Sequence, residues 1–191
     1  MNKKILMKYL AAFTYGNGHI TKKSPKYSKF ETACLSVHED YVDWQANILR
    51  NLTSVSTYPI YIDESTILKL QTKQHPTYSK IRARMYLNNR KVLDPHYLKL
   101  FDWETLAVVY MDIGELKLQP ILNTFTFSYA ENLMLKHVIK DKLDLEFNVV
   151  KYGKDAVGRQ YILRLSNISC DKFINGITPF ILPSFQYKIR T

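Results

Sequence analysis

The chain has 191 residues and a formal net charge of +10, with a sequence pI near 9.5. No apolar run approaches the length needed to span a bilayer, which excludes a membrane-spanning class, and no membrane partner is expected. Two cysteines, Cys34 and Cys170, and five histidines share no ligand spacing, which argues against a disulfide framework and a structural zinc site.

In chain order, Lys3 to Thr14 reads as a first helix that is apolar on more than one face through Ile5, Leu6, Tyr9, Leu10, Ala12 and Phe13. Such a helix is buried between two neighbours. Its N-terminus is basic and then apolar, but the apolar run is short, so a cleaved leader is not expected. After Gly16-Asn17-Gly18 come two strands, His19–Lys26 and Lys29–Val37, the second alternating with Ala33, Leu35 and Val37 on its core side. A helix carrying Tyr41, Trp44, Ile48 and Leu52 follows, then a hairpin turning near Asp63–Ser65 and a helix over Tyr78–Leu87.

The second half repeats this order. Trp103–Asp112 is a helix broken by Gly114, "ELKLQPILNTFTFS" supplies two short strands, and Ser128 with Glu131 forms a capping box that starts a helix to about Lys142. "LEFNVVKYGKDAVGRQYILRLS" is a hairpin with a polar, glycine-bearing loop, and "CDKFINGI" is a short last helix. The expected architecture is therefore α+β: two pseudo-symmetric αββαββα repeats, residues 1–87 and 103–191, joined by a linker at 88–102. The first helix of each repeat would pack on the axis, where Ala11, Ala12 and Ala107 allow close approach. The strands would form a curved, saddle-like sheet backed by helices, with Lys22, Lys23, Lys69, Lys117 and Arg164 on its open face.

The charge points to a polyanionic partner. Lys3, Lys4, Lys8, Lys22, Lys23, Lys26 and Lys29 all precede the first acid, Glu31. Several of the tyrosines adjoin lysines, as at Lys8-Tyr9, Lys26-Tyr27, Lys151-Tyr152 and Tyr187-Lys188, a pairing suited to stacking on unpaired bases beside phosphate contacts. Neither a phosphate-binding G-x-x-x-x-G-K-[ST] loop nor a G-x-G-x-x-G turn is present.

The two helices "YLAAFTYGNGHI" and "LAVVYMDIGEL", together with "KQHPTYSKIRARMYLNNRKVLDPHYLKLFDWETLAVVYMDIGEL", "NTFTFSYAENLMLKHVI" and "ITPFILPSFQYKI", resemble the LAGLIDADG homing endonuclease family in its single-chain, two-repeat form. The likeness covers nearly the whole chain. It implies an acid just before the last glycine of each motif, where a carboxylate pair holds divalent metal for cleavage of both DNA strands. Those positions are Asn17 and Ile113, and neither is an acid. Asp112 is one residue off and is expected to point away from the axis. Lys91 and Lys188 resemble the family's basic residues near the reaction centre and, without the acids, are read as phosphate contacts or simply as solvated lysines.

The expectation is a nucleic-acid-binding protein that has lost cleavage, needs no cofactor, and is a monomer when free. It would favour structured RNA over duplex DNA, as a maturase or a component of an organellar ribosome or other ribonucleoprotein. The alternatives are an endonuclease using Mg²⁺ and a non-cleaving, sequence-specific DNA binder. By association the family suggests a mitochondrial location, with bacterial or phage origin as the alternative.

Overall fold

The computed structural model describes residues 1–24, 26–155 and 158–190. Helix α1 (Lys3–Tyr15) leads into strands β1 (His19–Lys22) and β2 (Ser28–Leu35), helix α2 (Glu39–Leu49), the hairpin β3 (Val55–Ile62) and β4 (Ser65–Thr72), and helix α3 (Pro76–Met85). Then come a small hairpin, β5 (Tyr86–Leu87) and β6 (Arg90–Lys91), and a one-turn helix α4 (Pro95–Leu98). The order recurs in α5 (Trp103–Ile113), β7 (Gly114–Leu116), β8 (Pro120–Leu122), α6 (Tyr129–Leu143), β9 (Phe147–Asp155), β10 (Gly158–Leu165) and α7 (Cys170–Ile177). The expected polar loop of the last hairpin falls at 156–157, outside the described residues.

Each half builds its own antiparallel sheet in the same order, β1-β2-β4-β3 and β7-β8-β10-β9. In place of the expected single sheet there are two four-stranded sheets, whose hydrogen-bonded ladders do not join among the described residues. Local chemistry sets most of the element ends. Asp63, at φ 50°, turns the β3–β4 hairpin, and a left-handed Asp144 ends α6. The capping box forms as expected: the Ser128 N–H donates to Glu131 Oε2 at 2.8 Å and the Glu131 N–H to Ser128 Oγ at 3.3 Å.

Helices α1 and α5 pack on each other, and Ala11, Ala12 and Ala107 on them are buried. From Leu10 to Tyr15 every residue of α1 is buried, although Ile5 stays exposed. The alternation expected in β2 is present but inverted. Phe30 is the buried member, packed near Phe13 and Tyr78 with ring centroids 6.0 and 6.5 Å away, while Leu35 and Val37 are exposed. One fully buried aromatic ring outweighs the smaller Ala33 and Leu35 in choosing the inward face. The 88–102 segment is itself packed, for Leu93, Tyr97, Leu98 and Phe101 are all buried.

Candidate functional site: the axis tips and the open sheet face

The C-terminal ends of α1 and α5 meet side by side, and two hydrogen bonds tie them. The Asn17 backbone N–H donates to Asp112 Oδ2 at 3.1 Å, and the Asn17 side-chain amide donates to the Asp112 carbonyl at 3.1 Å. Gly16 is what admits this contact. A Cβ built there would lie 1.9 Å from Asp112 Oδ2, so only glycine fits against the carboxylate. Asp112 therefore points across the axis, not away from it as helical spacing alone implied. The straight-helix rotation places the side chain only relative to its own helix, and the partner's glycine supplies the space. Neither Gly16 nor Asn17 needs a left-handed backbone: the glycine is required for closeness.

The Asp112 carboxyl is half-buried, and burial pushes it up to about 6 against the opposing pull of the Asn17 N–H, the Tyr41 hydroxyl and the charges of Lys91 and Lys188. The two lysines hold equivalent places, each after the third helix of its half. Lys91 is buried, and its Nζ donates to the Gly16 carbonyl at 2.7 Å. Lys188 is half-buried and donates to the carbonyls of Met111 at 2.7 Å and Gly114 at 2.8 Å, with Tyr110 at 3.4 Å. Burial lowers both to about 8, with Asp112 opposing the shift. Each cation thus sits where the exposed carbonyls of a helix end gather negative potential. Their ammonium groups are engaged with backbone oxygens instead of standing free on the surface.

The resemblance implies a divalent metal between the tips, and the residues present do not fit one. Asn17 has turned its amide toward the Asp112 backbone, Ile113 offers no ligand, and the single carboxylate is flanked by two lysines. Hard divalent ions are anchored by several oxygen ligands, carboxylates foremost. Among the described residues no group of three His, Cys, Asp or Glu side chains could hold a metal ion.

The open face of the first sheet is read from its register. His19, Glu31 and Gln71 form one cross-strand row, and Ala33, Lys69 and Tyr58 the next. Lys69 stands there half-buried, 3.7 Å from Glu31, which also accepts from Lys29 at 2.8 Å and Thr21 at 2.7 Å. On the second sheet Arg164 is exposed beside Asn148 and Ile121, and Lys117 is exposed with Glu115 at 3.4 Å. Lys22 departs from the expectation. It shares the parity of buried Ile20 and pairs with buried Ser28, so it lies on the helix-covered side of β1. Lys23 is exposed in the β1–β2 turn, where its N–H donates to the Tyr27 carbonyl. Lys69 and Arg164 thus stand on the sheet faces, Lys91 and Lys188 at the axis tips, and Lys22 and Lys23 on the flank, while Lys117 departs from the expectation and lies in the turn between β7 and β8. The role of Gly16 in admitting Asp112 lies outside the sequence expectation. The glycine before Asn17 is the signal for it that the sequence carries.

Two repeats, paired axis helices and paired sheets define the nucleic-acid-binding fold of the two-repeat homing endonucleases. The sequence pattern of the LAGLIDADG DNA endonuclease family matches residues 15–173, and the chain belongs to that family. It is 26% identical over 127 residues to the cytochrome b mRNA maturase bI2 of Debaryomyces hansenii, covering 64% of this chain and 46% of that protein. The chain thus matches less than half of that relative's length. The fold is similar to the homing endonuclease I-WcaI bound to its DNA recognition sequence, at TM-score 0.81 and 19% identity over 98% of this chain and 87% of that one. It is also similar to I-DmoI in complex with DNA and Ca, at TM-score 0.57 and 14% identity over 93% and 91%.

Proposed function

We propose that this protein binds structured RNA on a LAGLIDADG scaffold without cutting nucleic acid, in the manner of an intron maturase. The observation that carries the loss of cleavage is the tip contact. Where the family's two acids would stand, Asn17 donates both its N–H groups to Asp112 and Ile113 offers no ligand, while the charges of Lys91 and Lys188 act on the one carboxylate left. RNA is favoured by the relative named as an mRNA maturase, and its cytochrome b message supports a mitochondrial location. Basic and aromatic groups on the sheet face, Lys69 beside Tyr58 among them, suit phosphate and base contact. An intron-bound ribonucleoprotein is the expected working form.

A second reading, a non-cleaving binder of duplex DNA, is favoured by the likeness to a DNA-bound endonuclease. Competition between a folded group I intron RNA and a mixed-sequence DNA duplex at matched salt separates the two, because the charge-driven part of affinity weakens with salt for both. RNA should win. Mg²⁺-dependent cleavage of long duplex DNA is the second measurement, with Asn17→Asp/Ile113→Asp as the variant carrying two restored acids. Cutting by the unmodified chain would overturn the proposal.

A further inference from the structure

A cleft of about 320 Å³ opens on the flank of the first repeat, between the β1–β2 turn, the end of α3 and the β5–β6 turn. It lies on the helix-covered side of β1, away from the open sheet face, because Lys22 in its wall shares the parity of Ile20. Its other polar walls include Arg82, Ser79 and the side chains of Asn88 and Asn89. No carboxylate lines it among the described residues.

The charges in this cleft are uncompensated. Neighbouring Arg84 and Arg90 hold Asp94 and Glu131 at 3.1 and 2.7 Å, and Lys29 and Lys69 share Glu31. Arg82 and Lys22 have no carboxylate partner among the described residues. Arg82 is half-buried and fixed in place: it donates to the Ile20 carbonyl and to Asn89 Oδ1, both at 2.6 Å, and its guanidinium lies 4.4 Å from the Tyr86 ring centroid. Those two bonds use two of five N–H donors. Partly desolvated cations are ordinarily matched by an anion. The carbonyl end of α3 opposes an anion here, but with about half a charge against two full ones. Asn88 and Asn89, held at φ 49° and 64°, bring two side-chain amides to the same rim.

We propose that this cleft is a phosphate site, gripped by Arg82 and Lys22, that takes either a backbone phosphate of the bound nucleic acid or a free phosphomonoester. The first source deepens the nucleic-acid reading above; the second stands without it. The discriminating variant is Asn88→Asp, which places a carboxylate in the cleft at a left-handed position that aspartate tolerates, as Asp63 does at φ 50°. Unchanged thermal unfolding would show that the variant folds.

Inorganic phosphate titrated against chloride at matched ionic strength should shift the amide signals of Ser79, Asn88 and Asn89. Asn88→Asp should weaken that binding about tenfold or more. In parallel, the salt dependence of binding to a folded intron RNA should lose roughly one unit of slope in Asn88→Asp and in Lys22→Gln. Phosphate binding with an unchanged slope supports the site with a free phosphomonoester as occupant, and a reduced slope supports the backbone phosphate. The absence of both a phosphate shift and a slope change would overturn the proposal. If the unmodified protein fails to bind nucleic acid at all, the functional reading falls while the phosphate titration still decides the cleft.

Discussion

Asp112 shows how much one side chain at the axis decides. It accepts the Asn17 N–H, abuts Gly16 where no Cβ would fit, and lies within the influence of Lys91 and Lys188. Burial nonetheless dominates and raises its carboxyl to about 6 from the ordinary 3.8. In the window between those values the folded protein holds a proton that the unfolded chain has released. Stability therefore falls as pH rises through it. Asp112→Asn keeps an acceptor for the Asn17 N–H and removes the titration. The stability of the unmodified protein relative to Asp112→Asn should decrease from about pH 4 to about pH 6 and level off above, measured by urea unfolding at each pH. A difference that stays flat across that window would mean the carboxylate ionises normally at the tip.

At the level of elements, the two axis helices end alike but are capped unequally. Lys188 reaches three carbonyls of the α5 end and remains partly hydrated, whereas Lys91 is buried on one carbonyl of the α1 end. A charged hydrogen bond contributes stability, but desolvating the cation costs it back in proportion to burial. Lys188→Met should therefore destabilise by about 2 kcal/mol and Lys91→Met by less than about 1 kcal/mol, read from urea midpoints at neutral pH. Equal losses would show that the number of carbonyls does not matter.

The same elements mark what a sequence discloses. The Ser128–Glu131 box, the Asp63 turn and the order of helices and strands are legible because their causes lie within a few residues. The inward face of β2 was not. Phe30 is fixed by Phe13 and Tyr78, both remote in sequence, and the apolar Ala33, Leu35 and Val37 misled. The same holds for the site. The missing acids at Asn17 and Ile113 are plain in the sequence. The direction of Asp112 and the capping by Lys91 and Lys188 arise between segments some 75 to 95 positions apart, where periodicity carries no information.

Over the whole molecule, the two halves are joined by more than the axis helices. Lys8 pairs with Asp102 at 2.9 Å, and Tyr9 donates to Glu104. The chain after α7 crosses back to the first half: Phe185 stacks on His38 at 4.0 Å and meets Tyr41 edge-on at 5.2 Å, and the Ser184 N–H donates to Asp40 at 3.2 Å. The buried apolar residues form one cluster that runs through both repeats. Separating them would expose much of the surface that each half buries, so neither repeat should unfold ahead of the other. The two tryptophans report this independently. Trp44 packs edge-on against Tyr9 and Phe13 in the first repeat, and Trp103 sits against Gly176 in the second. Fluorescence of the single-tryptophan variants Trp44→Phe and Trp103→Phe, each compared with its own far-ultraviolet circular dichroism, should give coincident urea transitions for both reporters. An earlier transition at either tryptophan, absent from the other, would mean that the repeats are held as neighbours and do not share one cooperative core.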